Sequence, residues 1–468
     1  MEKRHYKLIE AAAVMLFTMQ AVRVLLAMLF ARVYDTLFDG EGAPILATAG
    51  LLCVVMIILP LLSPRSPKKL DQTLRLSAIL CAIARIPLSL DMPLLRLFAA
   101  IATLSFSGLY VATLLSQQAK TLVPALSLGL FIDQFLRALG HTYDLSLRPW
   151  WIIVQIPLSI GVIVLAAQGA RQKSDSAAAE PAGFLAGISY GAILFMLSSL
   201  YALPNAAARW TGGSYALMVA AMMAATTIPL LPPISNRFAE GAPLRALLRK
   251  ALTFVIVLMG LTLADQGGLG VATISLIVGL LGFWLLLPHS LSVGTKGAGA
   301  GLVVGMVLFI ILAIAHAFSF TYAYTISDFE GMGLPTFLAA TVLALGPGLL
   351  RSRDRVTARP LHKGRLWLIA GTVCLVSATL YAFPWPMHLE ASTETIALGT
   401  YNIHYGFDSH WHLSLEEQAR TIEASGADVI ALQEVDTGRL TSYGIDDALW
   451  LSRRLDMEIV YLPTVEFW

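Results

Sequence analysis

The chain has 468 residues, of which 57% are hydrophobic and 13% charged, with a formal net charge of +2. Soluble globular domains carry about 25% charged residues, so this composition, with a mean hydropathy of +0.72, excludes an ordinary soluble protein and makes the lipid bilayer its main partner. Cys53, Cys81 and Cys374 each sit in an apolar run, with neither a disulfide framework nor a CxxC metal spacing, and read as small core hydrophobes.

A membrane-spanning helix needs ~20 mostly apolar residues. That rule yields about thirteen candidate spans, near 8–30, 44–62, 73–90, 94–115, 121–139, 150–167, 183–203, 213–231, 247–264, 268–287, 299–321, 333–350 and 366–383. The expected fold is therefore mainly α, a polytopic membrane helix bundle. The first run is too long for a secretory leader and has no small-residue cleavage site. Trp150, Trp151, Trp367 and Trp385 fall at expected span ends, where interfacial aromatics sit. Gly297, Gly301 and Gly305 have small-xxx-small spacing, which predicts close approach to a neighbouring helix rather than a phosphate loop.

Basic residues concentrate in alternate loops. Lys3, Arg4 and Lys7 precede the first span; Arg65, Lys68, Lys69 and Arg75 follow the second; Arg351, Arg353, Arg355, Arg359, Lys363 and Arg365 precede the last. By the positive-inside rule the amino terminus is cytoplasmic, and an odd number of spans puts Ile396 onward on the outer side (periplasmic, extracellular or lumenal) of a cell membrane. A polar linker at Gln168 to Pro181 divides twelve of the spans into halves at about 8–167 and 183–350. Pro60-Leu61-Leu62-Ser63-Pro64-Arg65 and Pro229-Leu230-Leu231-Pro232-Pro233 recur after the second span of each half. This 6+6 layout resembles transporters of the major facilitator type, with 366–383 as an added span.

Arg23, Arg85, Asp133, Arg137 and His316 fall within expected spans. Ionisable groups at such depth face a polar interior or pair with one another, and the i,i+4 spacing predicts an Asp133–Arg137 pair. Two readings follow: a net-basic pocket for an anionic headgroup or transported anion, or arginines that snorkel to the interface beside one structural pair.

Beyond a linker at 385–395 the pattern changes. Ile396 to His404 is an apolar, β-branched run ending in Asn402 and His404; Asp428 to Glu434 is a second, ending in Gln433 and Glu434. Between them Leu415, Ala419 and Ile422 share a helical face, Ser414 and Glu417 have capping-box spacing, and Gly426 stands where a helix would end. A strand–helix–strand unit brings polar strand ends to one sheet edge, where chemistry gathers in α/β folds. Asp446 to Asp456 reads as a further helix and Glu458 to Leu462 as a strand. His404, His410 and His412 lie near Asp408, where HxH spacing can bind zinc; a solvated loop is the preferred reading.

Thr400-Tyr401-Asn402-Ile403-His404-Tyr405-Gly406 and Leu432-Gln433-Glu434-Val435 resemble the first two motifs of the endonuclease/exonuclease/phosphatase superfamily. The resemblance implies a DNase I-like α/β sandwich, Glu434 as a Mg²⁺ ligand, and Asn402 positioning the metal-bound phosphate. Asn402-Ile403-His404-Tyr405-Gly406-Phe407-Asp408 and Ala424-Ser425-Gly426-Ala427-Asp428 are most similar to the carboxyl-terminal domain of membrane proteins that remodel the lipid of GPI anchors. The later motifs of that domain are absent from 396–468, so the domain is expected to be incomplete, a fragment or one completed by a second chain. These features imply a metal-dependent phosphoesterase acting on a lipid-linked phosphodiester. Nucleic acid is disfavoured, because Arg420, Arg439, Arg453 and Arg454 form no basic stripe. The alternative function is a major facilitator type transporter with a vestigial or regulatory carboxyl-terminal segment.

Overall fold

In lipid each backbone polar group must be satisfied within its own segment, and for a single stretch only a helix does this. A computed structural model describes residues 3–38, 42–64, 66–171, 181–231, 234, 238, 242–319, 327–350, 364–384 and 395–462. Its helices are α1 (Lys3–Phe38), α2 (Ala43–Ile58), α3 (Pro67–Arg85), α4 (Pro93–Leu139), α5 (Ile152–Arg171), α6 (Phe184–Met196) and α7 (Pro204–Thr211). They continue with α8 (Tyr215–Thr226), α9 (Pro243–Gln266), α10 (Leu269–Ser290), α11 (Ala298–Phe318), α12 (Gly333–Leu345) and α13 (Gly364–Ala382). Every apolar stretch picked out by the sequence falls on a helix. Among the described residues, 8 helices are long and apolar enough to cross a membrane. Tyr215–Leu230, Gly333–Leu349 and Leu368–Ala382 are apolar but shorter.

α4 alone covers two of the expected spans and counts once. α3, α8 and α12 each hand over to a 3-10 turn, at Ile86–Ser89, Ile228–Leu230 and Gly346–Leu349, and each turn carries a proline. Proline has no N–H for the α-helical ladder but fits the first turn of a new segment. α3 also starts with Lys68, Lys69, Asp71 and Arg75, which dilute its apolar length. The basic residues Arg65, Arg351, Arg353, Arg355, Arg359 and Lys363, the linker residues 385–394 and Trp385 lie outside the described residues.

α4 is continuous by hydrogen bonding over 47 residues but breaks helical geometry at Gln118, where φ is −143° and ψ 57°. A straight helix of that length would extend about 70 Å. Yet Arg96, near its start, donates from Nη2 to the carbonyl of Leu147, beyond its end, at 2.7 Å. The chain must therefore double back near Gln118, so the expected spans 94–115 and 121–139 are two arms of a hairpin with almost no connecting loop.

α6 and α11 meet through glycine. A Cβ on Gly301 would lie 1.9 Å from the carbonyl oxygen of Phe184, and one on Gly191 would lie 2.0 Å from that of Gly305. Backbones this close leave no room for a side chain, as the Gly301 and Gly305 spacing led us to expect.

After α13 the chain forms β1 (Leu398–Asn402), α14 (Leu415–Ser425), β2 (Val429–Gln433) and α15 (Asp447–Leu455). β1 and β2 pair in parallel with Leu398 opposite Val429 and Asn402 opposite Gln433. Leu415, Ala419 and Ile422 are buried, and Gly426 ends α14 at φ +64°. Two expectations fail here. Ser414 makes no side-chain cap; its N–H donates instead to the Gly406 carbonyl at 2.9 Å, so the capping box with Glu417 is not formed. Residues 458–462 form no strand, and Val460 is 98% exposed; among the described residues there is no third strand for them to join. The sheet that a DNase I-like sandwich would build therefore stands here at two strands, with Leu398 and Val429 exposed on it.

Candidate functional site

The parallel register puts Asn402 and Gln433 side by side, and the main-chain pairing continues past both strands. Ile403 N–H donates to the Gln433 carbonyl at 3.1 Å and Tyr405 N–H to that of Glu434 at 2.9 Å. His404 (φ +48°), Tyr405 (φ +57°) and Glu434 (φ +54°) all adopt left-handed backbone without being glycine. Such conformations cost of order 1–3 kcal/mol each and persist only where the surroundings enforce them. Gln418, buried on α14, helps to do so: its Nε2 donates to the carbonyls of Ile403 (2.9 Å) and Phe407 (3.0 Å).

Asn402 and Glu434 thus leave the sheet at one edge. A cavity of about 480 Å³ opens beside them, lined by Tyr401, Asn402, His404, Phe407, Asp408, Ser409, Ser414, Glu417, Gln418 and Thr421. Asn402 lines it; Glu434 does not. The Asn402 Oδ1 accepts the His404 N–H at 2.8 Å. Asp408 organises the neighbouring loop by accepting the N–H groups of His410 and His412, both at 2.8 Å. The His404 ring packs on Trp411 at 4.2 Å between centroids, so this histidine group reads as loop architecture.

The Mg²⁺ implied by the resemblance needs near-octahedral oxygen coordination. A carboxylate and an amide oxygen are the right donor chemistry, but the number is too small. No group of three or more His, Cys, Asp or Glu side chains among the described residues is placed to hold an ion.

The carboxyl-terminal unit is clamped to one end of the helical bundle. Arg209 grips the Asp446 carboxylate with Nε at 2.8 Å and Nη2 at 3.2 Å. Asn205 Nδ2 donates to the carbonyls of Gly444 (3.0 Å) and Thr437 (3.3 Å). Arg137 Nη2 also donates to the Gly444 carbonyl. The Thr142 hydroxyl accepts the Asp446 N–H at 3.0 Å, and Trp411 packs against Tyr34 of α1 with centroids 4.8 Å apart. Burial raises the Asp446 carboxyl against the pull of Arg209. It raises Asp447 well above the ordinary value, with Asp436 and Asp446 adding to the effect.

Beneath this contact lies the polar cluster. Arg23 bonds Asp133 through two nitrogens, at 2.8 and 2.6 Å, and Asp144 at 2.7 Å. The expected Asp133–Arg137 pair is not made: Arg23, arriving from α1, holds both carboxylate oxygens of Asp133, and Arg137 donates to the Gly444 carbonyl instead. Arg85 donates to Gln20 Oε1 (2.9 Å) and Ser89 Oγ (3.2 Å). All of these side chains are nearly inaccessible to solvent, so the arginines do not snorkel outward. His316 is elsewhere, edge-on to Phe195 and Phe337 with centroids 5.9 and 5.2 Å away. Asp144 was not anticipated. Burial would raise its carboxyl, yet Arg23 outweighs that and holds it at about 2.

Asn205 and Arg209 were also missed by the sequence reading; they lie on α7, a short helix between two expected spans. No protein-family model matches the chain, and no curated protein matches it.

Proposed function

We propose that the chain is a membrane-anchored phosphoesterase of the endonuclease/exonuclease/phosphatase type, acting on a phosphodiester carried by a lipid. One observation carries this reading: adjacent parallel strands deliver Asn402 and Glu434 to a single edge, with Glu434 itself left-handed and Asn402 two residues before the left-handed His404. An amide and a carboxylate so placed suit a phosphate and the cation that neutralises it. The reading requires further acidic donors to complete the ion's coordination. It also places the carboxyl-terminal unit on the outer face, with the amino terminus cytoplasmic, following the distribution of Lys and Arg.

The test uses the full chain reconstituted in phosphatidylcholine vesicles, with Mn²⁺ standing in for Mg²⁺. Mn²⁺ binding followed by electron paramagnetic resonance is expected to weaken at least tenfold in Glu434→Gln. With the further acidic donors supplied, Mg²⁺-dependent release of a fluorescent headgroup from a lipid phosphodiester is expected to fall with it, and in Asn402→Ala. Mn²⁺ affinity unchanged by Glu434→Gln would overturn the assignment.

A further inference from the structure

Arg137 poses a physical problem. It is 2% exposed, it cannot shed its proton, and its one hydrogen-bond acceptor among the described residues is the neutral carbonyl of Gly444. Its Nε and Nη1 have none. The two carboxylates nearest the cluster, Asp133 and Asp144, are both committed to Arg23. With Arg85, the cluster sets three buried guanidiniums against these two carboxylates, and a buried charge that is only partly compensated is costlier than one facing an anion of its own.

The surroundings of that guanidinium are built for an oxyanion. Asn205 Nδ2 converges with Arg137 on the same Gly444 oxygen, at 3.0 Å. One helical turn along α7, Arg209 already holds a carboxylate, that of Asp446, through two nitrogens. Charge-assisted, fork-like contacts of this kind select carboxylates and phosphates. We propose that Arg137, Asn205 and Arg209 form a phosphate-binding site at the end of the bundle, and that the chain's own loop 437–446 occupies it as an internal ligand. The Gly444 carbonyl and the Asp446 carboxylate stand where phosphate oxygens would sit. The site is separate from the sheet edge at Asn402 and Glu434, and does not depend on how that edge is read.

The loop is suited to being exchanged. It brings one carboxylate and one neutral carbonyl to two guanidiniums, whereas a phosphate monoester brings up to two charges and an anionic phosphodiester headgroup brings one charge shared over two free oxygens. Tyr443 and Gly444 are both left-handed, at φ +59° and +66°, and a Cβ on Gly444 would lie 3.1 Å from Arg137 Nη1. Asp447, next to the loop, keeps a buried Oδ1 without a partner. A phosphate could come from solution or from a lipid headgroup, and the chemistry at Arg137 is the same for both.

The test again uses the full chain, first in detergent with inorganic phosphate, then in nanodiscs of phosphatidylcholine with or without phosphatidylglycerol. The readout is hydrogen exchange of residues 437–446. Phosphate or phosphatidylglycerol is expected to raise exchange in this loop at least tenfold, as the loop gives up the site. Response to inorganic phosphate identifies a soluble ligand; response to phosphatidylglycerol alone identifies a headgroup. Asp446→Asn is expected to lower the concentration of ligand required by at least tenfold. Arg137→Gln is expected to abolish the response and Arg137→Lys to restore part of it. Should Arg137→Gln fail to fold, Asn205→Ala, which leaves both charges in place, is expected to weaken the response. No response of wild type and Asp446→Asn to either ligand, or an undiminished response in Asn205→Ala, overturns the proposal.

Discussion

Gly191→Ala is the sharpest probe of how the bundle is held together. The added Cβ would come to 2.0 Å from the Gly305 carbonyl oxygen, against an ordinary contact of about 3.5 Å, so α6 and α11 must part locally by about 1.5 Å. Overpacking costs about 1–3 kcal/mol, and because the obstacle is backbone the upper end, about 3 kcal/mol, applies. Alanine's helix propensity returns up to about 1 kcal/mol. The net loss is about 2 kcal/mol, close to 30-fold in the folding equilibrium. Thermal unfolding of the detergent-solubilised chain, followed by tryptophan fluorescence, reads it. Gly161→Ala on α5 is the matched control, since a Cβ there meets nothing within 4 Å. It is expected to stabilise by about 0.4–1 kcal/mol. A Gly191→Ala protein that melts as high as the Gly161→Ala protein would refute the close-packed α6–α11 contact.

Other consequences can be measured in the same system. Arg23→Leu strands two buried carboxylates and is expected to cost about 3–5 kcal/mol; adding Asp133→Asn and Asp144→Asn should recover part of this, and a triple variant no more stable than the single one would count against the ion triad. Asp144 is depressed, so its stabilising contribution is full above its ordinary value of 3.8 and is lost as pH falls through about 2. Asp447 is shifted the other way: the folded state binds its proton more tightly, so stability falls as pH rises from 3.8 toward the raised value and is level beyond it. Hydrogen exchange of α15 from pH 4 upward should show this fall, and Asp447→Asn should flatten it; an unchanged slope in that variant would be evidence against a strained buried carboxyl. Arg209→Ala removes the bidentate hold on Asp446 and is expected to raise exchange across 437–446, while leaving α6 and α11 protected.

How much of this was legible in the sequence depended on the range of the interaction. The strand–helix–strand unit could be read because its signals are local: alternating and apolar runs, the face of Leu415, Ala419 and Ile422, and Gly426 in the left-handed position. The glycines of α11 were equally plain. The Asp133–Arg137 pair was a misreading of local spacing, since four residues along one helix said nothing about Arg23 arriving from α1. Asp144, Asn205 and Arg209 lie outside any apolar stretch and carry no motif; only the tertiary approach of 437–446 gives them partners. The reversal at Gln118 was legible as two spans, since Ser116, Gln117, Gln118, Lys120 and Thr121 interrupt the apolar run, but a polar run does not say that the turn would be made with almost no loop. The capping box failed because Gly406, brought close by the folded loop, took the Ser414 N–H first.

The clamp between the carboxyl-terminal unit and the bundle has a mechanical consequence. Arg209 on Asp446, Asn205 on Thr437 and Gly444, and Trp411 on Tyr34 are fastenings spread along the unit's sequence rather than a single pivot. A body fastened so widely does not swing like a bead on a string. The opening beside Asn402 therefore keeps a set height and heading above the helices, and whatever enters it must be delivered at that level instead of being fetched by a roaming arm.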